Sequence, residues 1–190
     1  MLLNLFNPMK AFIYADNQFD YQLKRQSNII FLLVGFVTEL NSIFTDISRS
    51  YLSSEFHTLL VVISAIIGFM LIRFLLVPIL YFMGKALNSR AEFIDVRIIL
   101  AYSLIPQIIL ILPLELYLGM NDLKTNMTDS MLLTANMIRL VTVIWSFYIM
   151  LTGFVYFGKF SRISAIINMS PLILLQAIPL IFHSWFMWQS

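Results

Sequence analysis

Two charged side chains fall deep inside apolar stretches of the sequence. Arg73 stands in the run GFMLIRFLLVPIL, residues 68–80, and Glu39 stands in the apolar run before it. At about 1.5 Å per helical residue, Arg73 lies roughly 18 Å from Lys85, and Glu39 lies equally far from Ser27. An arginine at the bilayer centre costs about 2.5 to 3.5 kcal/mol on insertion scales, so it favours a carboxylate partner. The sequence therefore predicts a Glu39 to Arg73 pair.

This pair has three interpretations. It is a structural clasp between two helices, part of a substrate or proton site, or, if no pair forms, Arg73 lines a water-filled groove. A second pair of charges, Glu115 and Arg139, falls near the outer boundary of later apolar runs. These two side chains either reach the headgroups separately or pair between helices.

Signals for catalysis and for metal binding are scarce. His57 and His183 belong to no histidine pair at metal-binding spacing, and the chain has no cysteine for a thiolate site. No serine stands in a G-x-S-x-G motif, and no glycine-rich phosphate loop is present. We therefore predict no catalytic, cofactor-binding or metal-binding residues, and a protein that is not an enzyme.

Composition indicates what must position these charges. Of the 190 residues, 60% are hydrophobic and 12% are charged, which gives more apolar surface than one globular core can bury. The formal charge of +2 is too small to indicate a nucleic-acid partner. We predict an all-α polytopic membrane protein whose partner is the lipid bilayer. Five runs are long enough to cross a core of about 30 Å: 28–47, 58–84, 95–119, 131–157 and 163–187.

Residues 1–27 predict a short amphipathic helix that lies on the cytoplasmic leaflet. Asn7 can cap it, and Pro8 suits its first turn. We take residues 28–190 as one five-helix domain. The apolar residues of the amphipathic helix recur at helical spacing: Phe12, Ala15, Phe19 and Leu23.

The basic residues predict the orientation, because cytoplasmic loops carry an excess of lysine and arginine. With the amino terminus inside, two basic residues, Arg49 and Lys124, fall in outside loops. The carboxyl terminus then lies outside, where Trp185 and Trp188 fit an interfacial aromatic belt. Eight basic residues fall inside: Lys10, Lys24, Arg25, Lys85, Arg90, Arg97, Lys159 and Arg162.

Prolines and a repeated motif mark the later runs. A proline inside a spanning helix removes a hydrogen bond and usually kinks the helix. The segments YFMGKALNSR at 81–90 and YFGKFSR at 156–162 indicate an internal repeat of two helical hairpins, unless short turns favour these residues on their own. The third and fifth runs each carry two prolines: Pro106 and Pro113, then Pro171 and Pro179.

Three stretches carry a family resemblance: NPMKAF, YFMGKALNSRAEFIDVRIILAYSLIP and IWSFYIMLTGFVYFGKFSRISAIINMSP. Together they resemble the Yip family of integral membrane proteins, named for interaction with Ypt/Rab GTPases. The resemblance implies five membrane helices, a cytoplasmic amino terminus and a very short carboxyl tail outside. Eukaryotic members carry a long cytosolic region with an Asp-Leu-Tyr-Gly-Pro motif, which is absent here.

That absence argues against a Rab-type GTPase as partner. The chain is similar to the compact bacterial members, which implies a bacterial inner membrane, with a eukaryotic Golgi or endoplasmic reticulum membrane as the alternative. Two functions follow as hypotheses. One is a non-enzymatic organiser that binds another membrane protein or complex and supports its assembly, stability or trafficking. The other is a small transporter, channel or lipid-handling protein with a polar site at Glu39 and Arg73.

Overall fold

Helices make up nearly all of the structure, a computed structural model that describes residues 7–47, 54–120 and 129–173. Side-chain surroundings are described for those residues except 38–47, 54–58, 60–61, 118–120, 129 and 132. The described ranges contain no strand, which confirms the all-α prediction. The helices are α1 (Pro8–Asp16), α2 (Asp20–Ile47), α3 (Ser54–Leu71), α4 (Val77–Ala86), α5 (Phe93–Pro106), α6 (Leu112–Met120), α7 (Asp129–Gly158) and α8 (residues 162–173).

Within the described ranges, three helical stretches are long and apolar enough to cross a membrane. They are Val62–Ala86, Phe93–Tyr117 and Leu133–Gly158, each of 25 or 26 residues. At 1.5 Å per residue, 25 residues reach about 38 Å, more than the roughly 30 Å of a hydrocarbon core. They coincide with the second, third and fourth predicted spans. The first predicted span, 28–47, lies within α2, but its side-chain surroundings are described only to residue 37, and the fifth span runs past the last described residue, 173. The count of five therefore stays a prediction.

Two of these stretches contain a π-helical segment just before a proline. Ile72–Leu76 joins α3 to α4, and Gln107–Ile111 joins α5 to α6. Pro78 and Pro113 each follow two residues after their segment. A proline has no N–H for the carbonyl four residues earlier, and its ring crowds that carbonyl. A π turn moves the hydrogen bonds by one residue, so the helix continues through the bilayer without a break.

The prolines predicted to interrupt helices have different surroundings. Pro106 is the last residue of α5 and is buried, and Pro171 lies within α8. Pro179 falls outside the described residues. Pro78 is absent from the prolines that the sequence singled out, although it accompanies a π segment just as Pro113 does.

The stretch that contains α5 and α6 is the centre of the bundle. Half of the residues in its most apolar part are buried, compared with one third in α7 and 11% in Val62–Ala86. α5 packs against α2, α4 and α7. Ile99 and Ala101 of α5 are fully buried. The stretch that carries Arg73 is therefore the most exposed of the three.

The amino-terminal helix is shorter than predicted and packs into the bundle. α1 ends at Asp16, where the Asn17 side chain donates to the carbonyl of Ile13 (2.8 Å). Residues 20–27, predicted to belong to the same helix, form the first turns of α2. Residues 17–19 are not helical and separate α1 from α2. Phe19 is therefore 79% exposed and does not continue the apolar face of α1.

Phe12 ties α1 to the bundle. Its side chain is fully buried and stacks on Tyr102 of α5, with 5.7 Å between ring centroids. The ring of Phe157 in α7 meets it edge-on at the same distance. A Cβ added to Gly153 of α7 would lie 2.8 Å from the Phe12 ring, so this glycine makes room for it. We expect α1 to keep its place through this aromatic contact as well as through lipid.

The two turns predicted as repeats lie against each other. The backbone N–H of Arg90 donates to the carbonyl of Gly158 (3.2 Å). Asn88 has φ 61° and Lys159 has φ 53°, a left-handed conformation that is uncommon outside glycine and asparagine. The left-handed residue falls four positions after Gly84 but directly after Gly158, so the two turns differ in conformation. We call this region, residues 87–92 and 159–161, the turn end of the bundle.

Small residues bring α2 and α3 into close contact. A Cβ added to Gly35 of α2 would lie 2.6 Å from the carbonyl oxygen of Ala65, a separation that real Cβ atoms do not show. A Cβ added to Gly68 would meet the Cα of Gly35 at 3.6 Å, an ordinary van der Waals contact. Small residues therefore let α2 and α3 pack closely, as they do between other membrane helices, and the two backbones come closest at Gly35.

Gly35→Ala is expected to destabilise the protein by about 1 to 3 kcal/mol, because the added methyl group meets backbone that cannot rotate away. Gly68→Ala is the matched control and should be neutral or slightly stabilising, since alanine favours a helix over glycine. Thermal unfolding of both variants in detergent measures the difference. Equal stability of the two variants would contradict the packing described here.

Candidate functional site

Arg73 lies at mid-depth of the most exposed membrane helix, within its π segment. Its guanidinium carbon lies 5.1 Å from the ring centre of Phe74 and 5.8 Å from that of Phe69. Both distances fall within the reach of cation–π attraction, which is worth about 0.5 to 2 kcal/mol. The arginine is half-buried. Two aromatic rings therefore shelter the charge without neutralising it.

The carboxylate predicted for Arg73 lies outside the described side chains. Glu39 belongs to α2, but the surroundings of its side chain are not described. Among the described side chains, none of the carboxylates lies within 4 Å of the Arg73 guanidinium. The Glu39 to Arg73 pair therefore stays a prediction, and the observed neighbours of Arg73 are aromatic.

Large apolar side chains extend along the same helix on either side of Arg73. Ile66, Met70 and Phe74 follow each other at intervals of four residues, so they lie on one face. Each is between 44% and 63% exposed. We call these three residues together with Arg73 the Arg73 face. It presents a ladder of apolar groups with one cation at its middle.

Glu115 and Arg139 form an interhelical ion pair. Arg139 Nη2 of α7 lies 3.0 Å from Glu115 Oε1 of α6. The Glu115 side chain is 4% exposed and the Arg139 side chain 43%, so the carboxylate is buried and the guanidinium reaches outward. The sequence left two interpretations open, separate contacts with headgroups or a pair between helices. The structure shows the pair. Removing the arginine alone would leave a buried, uncompensated carboxylate.

Arg97 is a buried cation that the sequence assigned to the cytoplasmic surface. It is 5% exposed, and three groups of α2 surround its guanidinium. Arg97 Nε donates to Ser27 Oγ (2.7 Å), and Nη2 donates to the carbonyl of Lys24 (3.3 Å) and to Asn28 Oδ1. The planar guanidinium suits such a fork of acceptors. Arg97 therefore links α2 to the central helix without a carboxylate.

The sequence contains a signal for this contact. Ser27 and Asn28 are polar residues at the very start of the first apolar run, and Arg97 stands at the start of the third. Both sets therefore lie close to the predicted boundary of the membrane, at the same end of their helices. From the sequence, Arg97 was counted only among the charges that set the orientation in the membrane. Its hydrogen-bond acceptors on α2 were therefore not predicted.

The turn end contains a cleft of about 360 Å³ with charges of both signs. Carboxylates of α1, α2 and α5 border it, and Arg90 and Lys159 border it as well. Tyr156 donates to Asp16 Oδ2 (3.2 Å), and the N–H of Glu92 donates to Asp95 Oδ2 (2.7 Å). Within the described residues, no group of three histidine or acidic side chains is placed to hold a metal ion. The carboxylates of Glu92 and Asp95 cap the start of α5, and that of Asp16 links α1 to α7.

Comparison with known proteins identifies the family. The family model described as Yip1 domain matches residues 4–183. The chain belongs to the Yip1 family. The match covers nearly the whole of the 190 residues, so it includes the three candidate membrane helices of the described part, the Arg73 face, the Glu115 to Arg139 pair and the Arg97 contact. No curated protein and no solved structure matches the chain significantly.

Membership of the Yip1 family agrees with the three membrane-crossing helices, and the chain is a membrane protein. The Yip1 family is not known as an enzyme family. The resemblance noted in three sequence stretches is thereby confirmed. Those stretches include Arg97 and the turn end, whereas the α2 acceptors of Arg97 lie outside them.

Arg97→Lys is expected to destabilise this Yip1-family protein by about 1 to 3 kcal/mol, because a lysine cannot reach all three acceptors on α2 and leaves buried oxygens without a donor. Arg162→Lys is the matched control, since Arg162 is exposed at the start of α8, and it should change stability by less than about 0.5 kcal/mol. Unfolding in detergent compares the two. If both variants unfold together with the parent protein, the buried link does not stabilise the bundle.

Proposed function

We propose that this Yip1-family protein is a non-enzymatic organiser that binds another membrane protein through the Arg73 face and supports its assembly, stability or trafficking. The observation that carries the proposal is the exposure of the helix Val62–Ala86, of which 11% is buried in the bundle. A helix with so little of its surface packed offers the largest area for lateral contact with a partner helix. The partner we infer is a transmembrane helix of another protein, not a Rab-type GTPase.

The charge at the middle of this face supports a protein partner over lipid alone. Acyl chains offer no hydrogen-bond acceptor at mid-bilayer depth, and a half-exposed arginine there carries an insertion cost. A helix that packs over Phe74 removes the guanidinium from lipid and strengthens its attraction to the aromatic rings. Docking therefore lowers a cost that the isolated chain bears.

Inside the chain we propose that Glu39 pairs with Arg73 as a clasp. The depths predicted from the sequence support the pair, since Glu39 lies twelve residues from Ser27 and Arg73 lies twelve residues from Lys85. The clasp would hold the exposed helix in register while its outer face contacts the partner. In this arrangement Arg73 orients the docking face, and the apolar residues Ile66, Met70 and Phe74 supply the contact area.

The proposed arrangement in the membrane has five spans. The amino terminus lies in the cytoplasm, the turn end faces the cytoplasm and the carboxyl terminus lies outside. The excess of basic residues near the turn end supports this orientation, since Lys85, Arg90, Lys159 and Arg162 all fall there. We propose the bacterial inner membrane as the location, with the eukaryotic Golgi or endoplasmic reticulum membrane as the alternative.

A photo-cross-linking amino acid at Met70 is expected to yield one discrete adduct with a membrane protein. The same amino acid at Ile144 of α7 is the control, because Ile144 is 59% exposed against 52% for Met70 and lies at a similar depth. Mass spectrometry of the adducts in intact membranes identifies the partner. Lipid adducts alone at both positions would contradict the organiser and favour a transport or lipid-handling role.

Replacing Glu39 by Gln and Arg73 by Met together should leave the protein about as stable as the parent, whereas either change alone should cost about 3 to 5 kcal/mol by leaving one charge unpaired. Unfolding in detergent tests the clasp, and cross-linking from Met70 tests the function in the same double variant. Because the double variant also removes the cation of the Arg73 face, a folded double variant that cross-links less from Met70 fits the organiser. Transport by the parent protein that the folded double variant has lost favours a polar transport site at Glu39 and Arg73.

A further inference from the structure

A second cavity lies in the middle of the bundle, away from the Arg73 face. It has a volume of about 200 Å³, and both π segments border it through Ile72 and Gln107. Val34 of α2, Leu100 of α5 and Val143 of α7 complete much of its wall. A π turn widens a helix locally and displaces the side chains around it, so the cavity forms where two widened turns meet.

The depth of this cavity is close to the bilayer centre. Gln107 lies fourteen residues from Phe93, which is about 21 Å along the helix. Ser146 lies twelve residues from Gly158, which is about 18 Å. Water is scarce at that depth, so a polar group in the wall finds its partner in protein or in a ligand.

Ser146 is a buried hydroxyl without a partner on this wall. It is 8% exposed, and its Oγ makes no hydrogen bond in the structure. Neighbouring hydroxyls in the membrane helices behave differently. Thr142 Oγ1 donates to the carbonyl of Ile138 (2.8 Å), Ser103 Oγ to that of Leu100 (2.7 Å) and Thr152 Oγ1 to that of Tyr148 (2.8 Å). An unpaired buried hydroxyl carries a desolvation cost that an acceptor removes.

From this combination we infer that the cavity binds a lipophilic molecule that carries a carbonyl group, with Ser146 as the hydrogen-bond donor to the carbonyl oxygen. The apolar wall contacts the hydrocarbon part of the ligand. The side-chain amide of Gln107 also borders the cavity and offers a second hydrogen-bond donor. This site does not depend on the Arg73 face or on the organiser proposal.

The volume limits the size of the ligand. A cavity of about 150 Å³ lined by apolar side chains holds one benzene ring. At about 200 Å³ the cavity therefore admits one six-membered ring with two or three further heavy atoms. A larger molecule could place only its ring or one end there. Aromatic ketones and the rings of lipophilic quinones have both the size and the carbonyl oxygen that the site requires.

The probe that tests this inference is 4-fluoroacetophenone, followed by fluorine NMR on the protein in lipid nanodiscs. The comparison compound, 1-fluoro-4-isopropylbenzene, has the same number of heavy atoms, with a methyl group in place of the carbonyl oxygen. Empty nanodiscs correct for partition into lipid. Saturable binding of the ketone to the parent protein, tighter than that of the hydrocarbon, is the expected result.

Ser146→Ala should weaken ketone binding roughly three- to tenfold and leave hydrocarbon binding unchanged, since one hydrogen bond is lost. Thr142→Ala is the matched control, because it removes a hydroxyl one turn away that is already bonded to its own helix, and it should leave ketone binding unchanged. Val143→Phe should abolish binding of both compounds by filling the space.

Three results would overturn the site: no saturable binding by the parent protein, equal ketone affinity in Ser146→Ala and the parent, or binding that survives Val143→Phe. Thermal unfolding in the absence of ligand separates binding from structure. We expect Ser146→Ala to be as stable as the parent protein, because the hydroxyl that it removes makes no hydrogen bond. A loss of stability would instead indicate a structural role for Ser146. If Val143→Phe does not fold, the two alanine variants decide the question.

Discussion

Lipid gives the backbone nothing to bond to, and this constraint decides most of the structure. Every N–H and carbonyl within the hydrocarbon core must find a partner inside the protein, so the crossing segments are helices. Pro78 and Pro113 would break that rule, because neither supplies a donor. The chain answers with the π segments Ile72–Leu76 and Gln107–Ile111, which shift the bonding pattern and keep each helix continuous. The same two adjustments border the cavity at the centre of the bundle.

Charges obey the same constraint with different solutions. Arg97 enters the bundle among neutral acceptors of α2, Glu115 is paired with Arg139, and Arg73 rests between aromatic rings. The first two contacts are internal and join helices to each other. Arg73 differs in its described surroundings, since its neighbours are aromatic rings and it lies on the most exposed of the three membrane helices. That difference supports the proposal that this helix contacts a partner.

The sequence predicted the helical class and the positions of the middle spans, because an apolar run of membrane length rarely forms anything other than a membrane helix. It also predicted the pairing of Glu115 with Arg139 as one of two options. It did not predict the burial of Arg97, because a charge count places a residue along the membrane normal and says nothing about the direction in which its side chain points. The same limit concealed Ser146, whose hydroxyl is distinguished from that of Thr142 only by its hydrogen bonding. The boundary between α1 and α2 was missed because the apolar spacing continues through the break, with Leu23 buried again after the exposed Phe19.

The position of Phe12 has a consequence for the order in which the helices pack during synthesis. This residue is made long before the rest of its site, whose walls are Tyr102 and Phe157 and whose space is left by Gly153. Translation at about 5 to 20 residues per second needs roughly 7 to 28 s to extend from the twelfth residue to Gly153. During that interval the ring has no pocket, so the amino-terminal segment must wait at the lipid surface or on a chaperone. The helix α1 therefore reaches its final place only after the helices that follow it have been made.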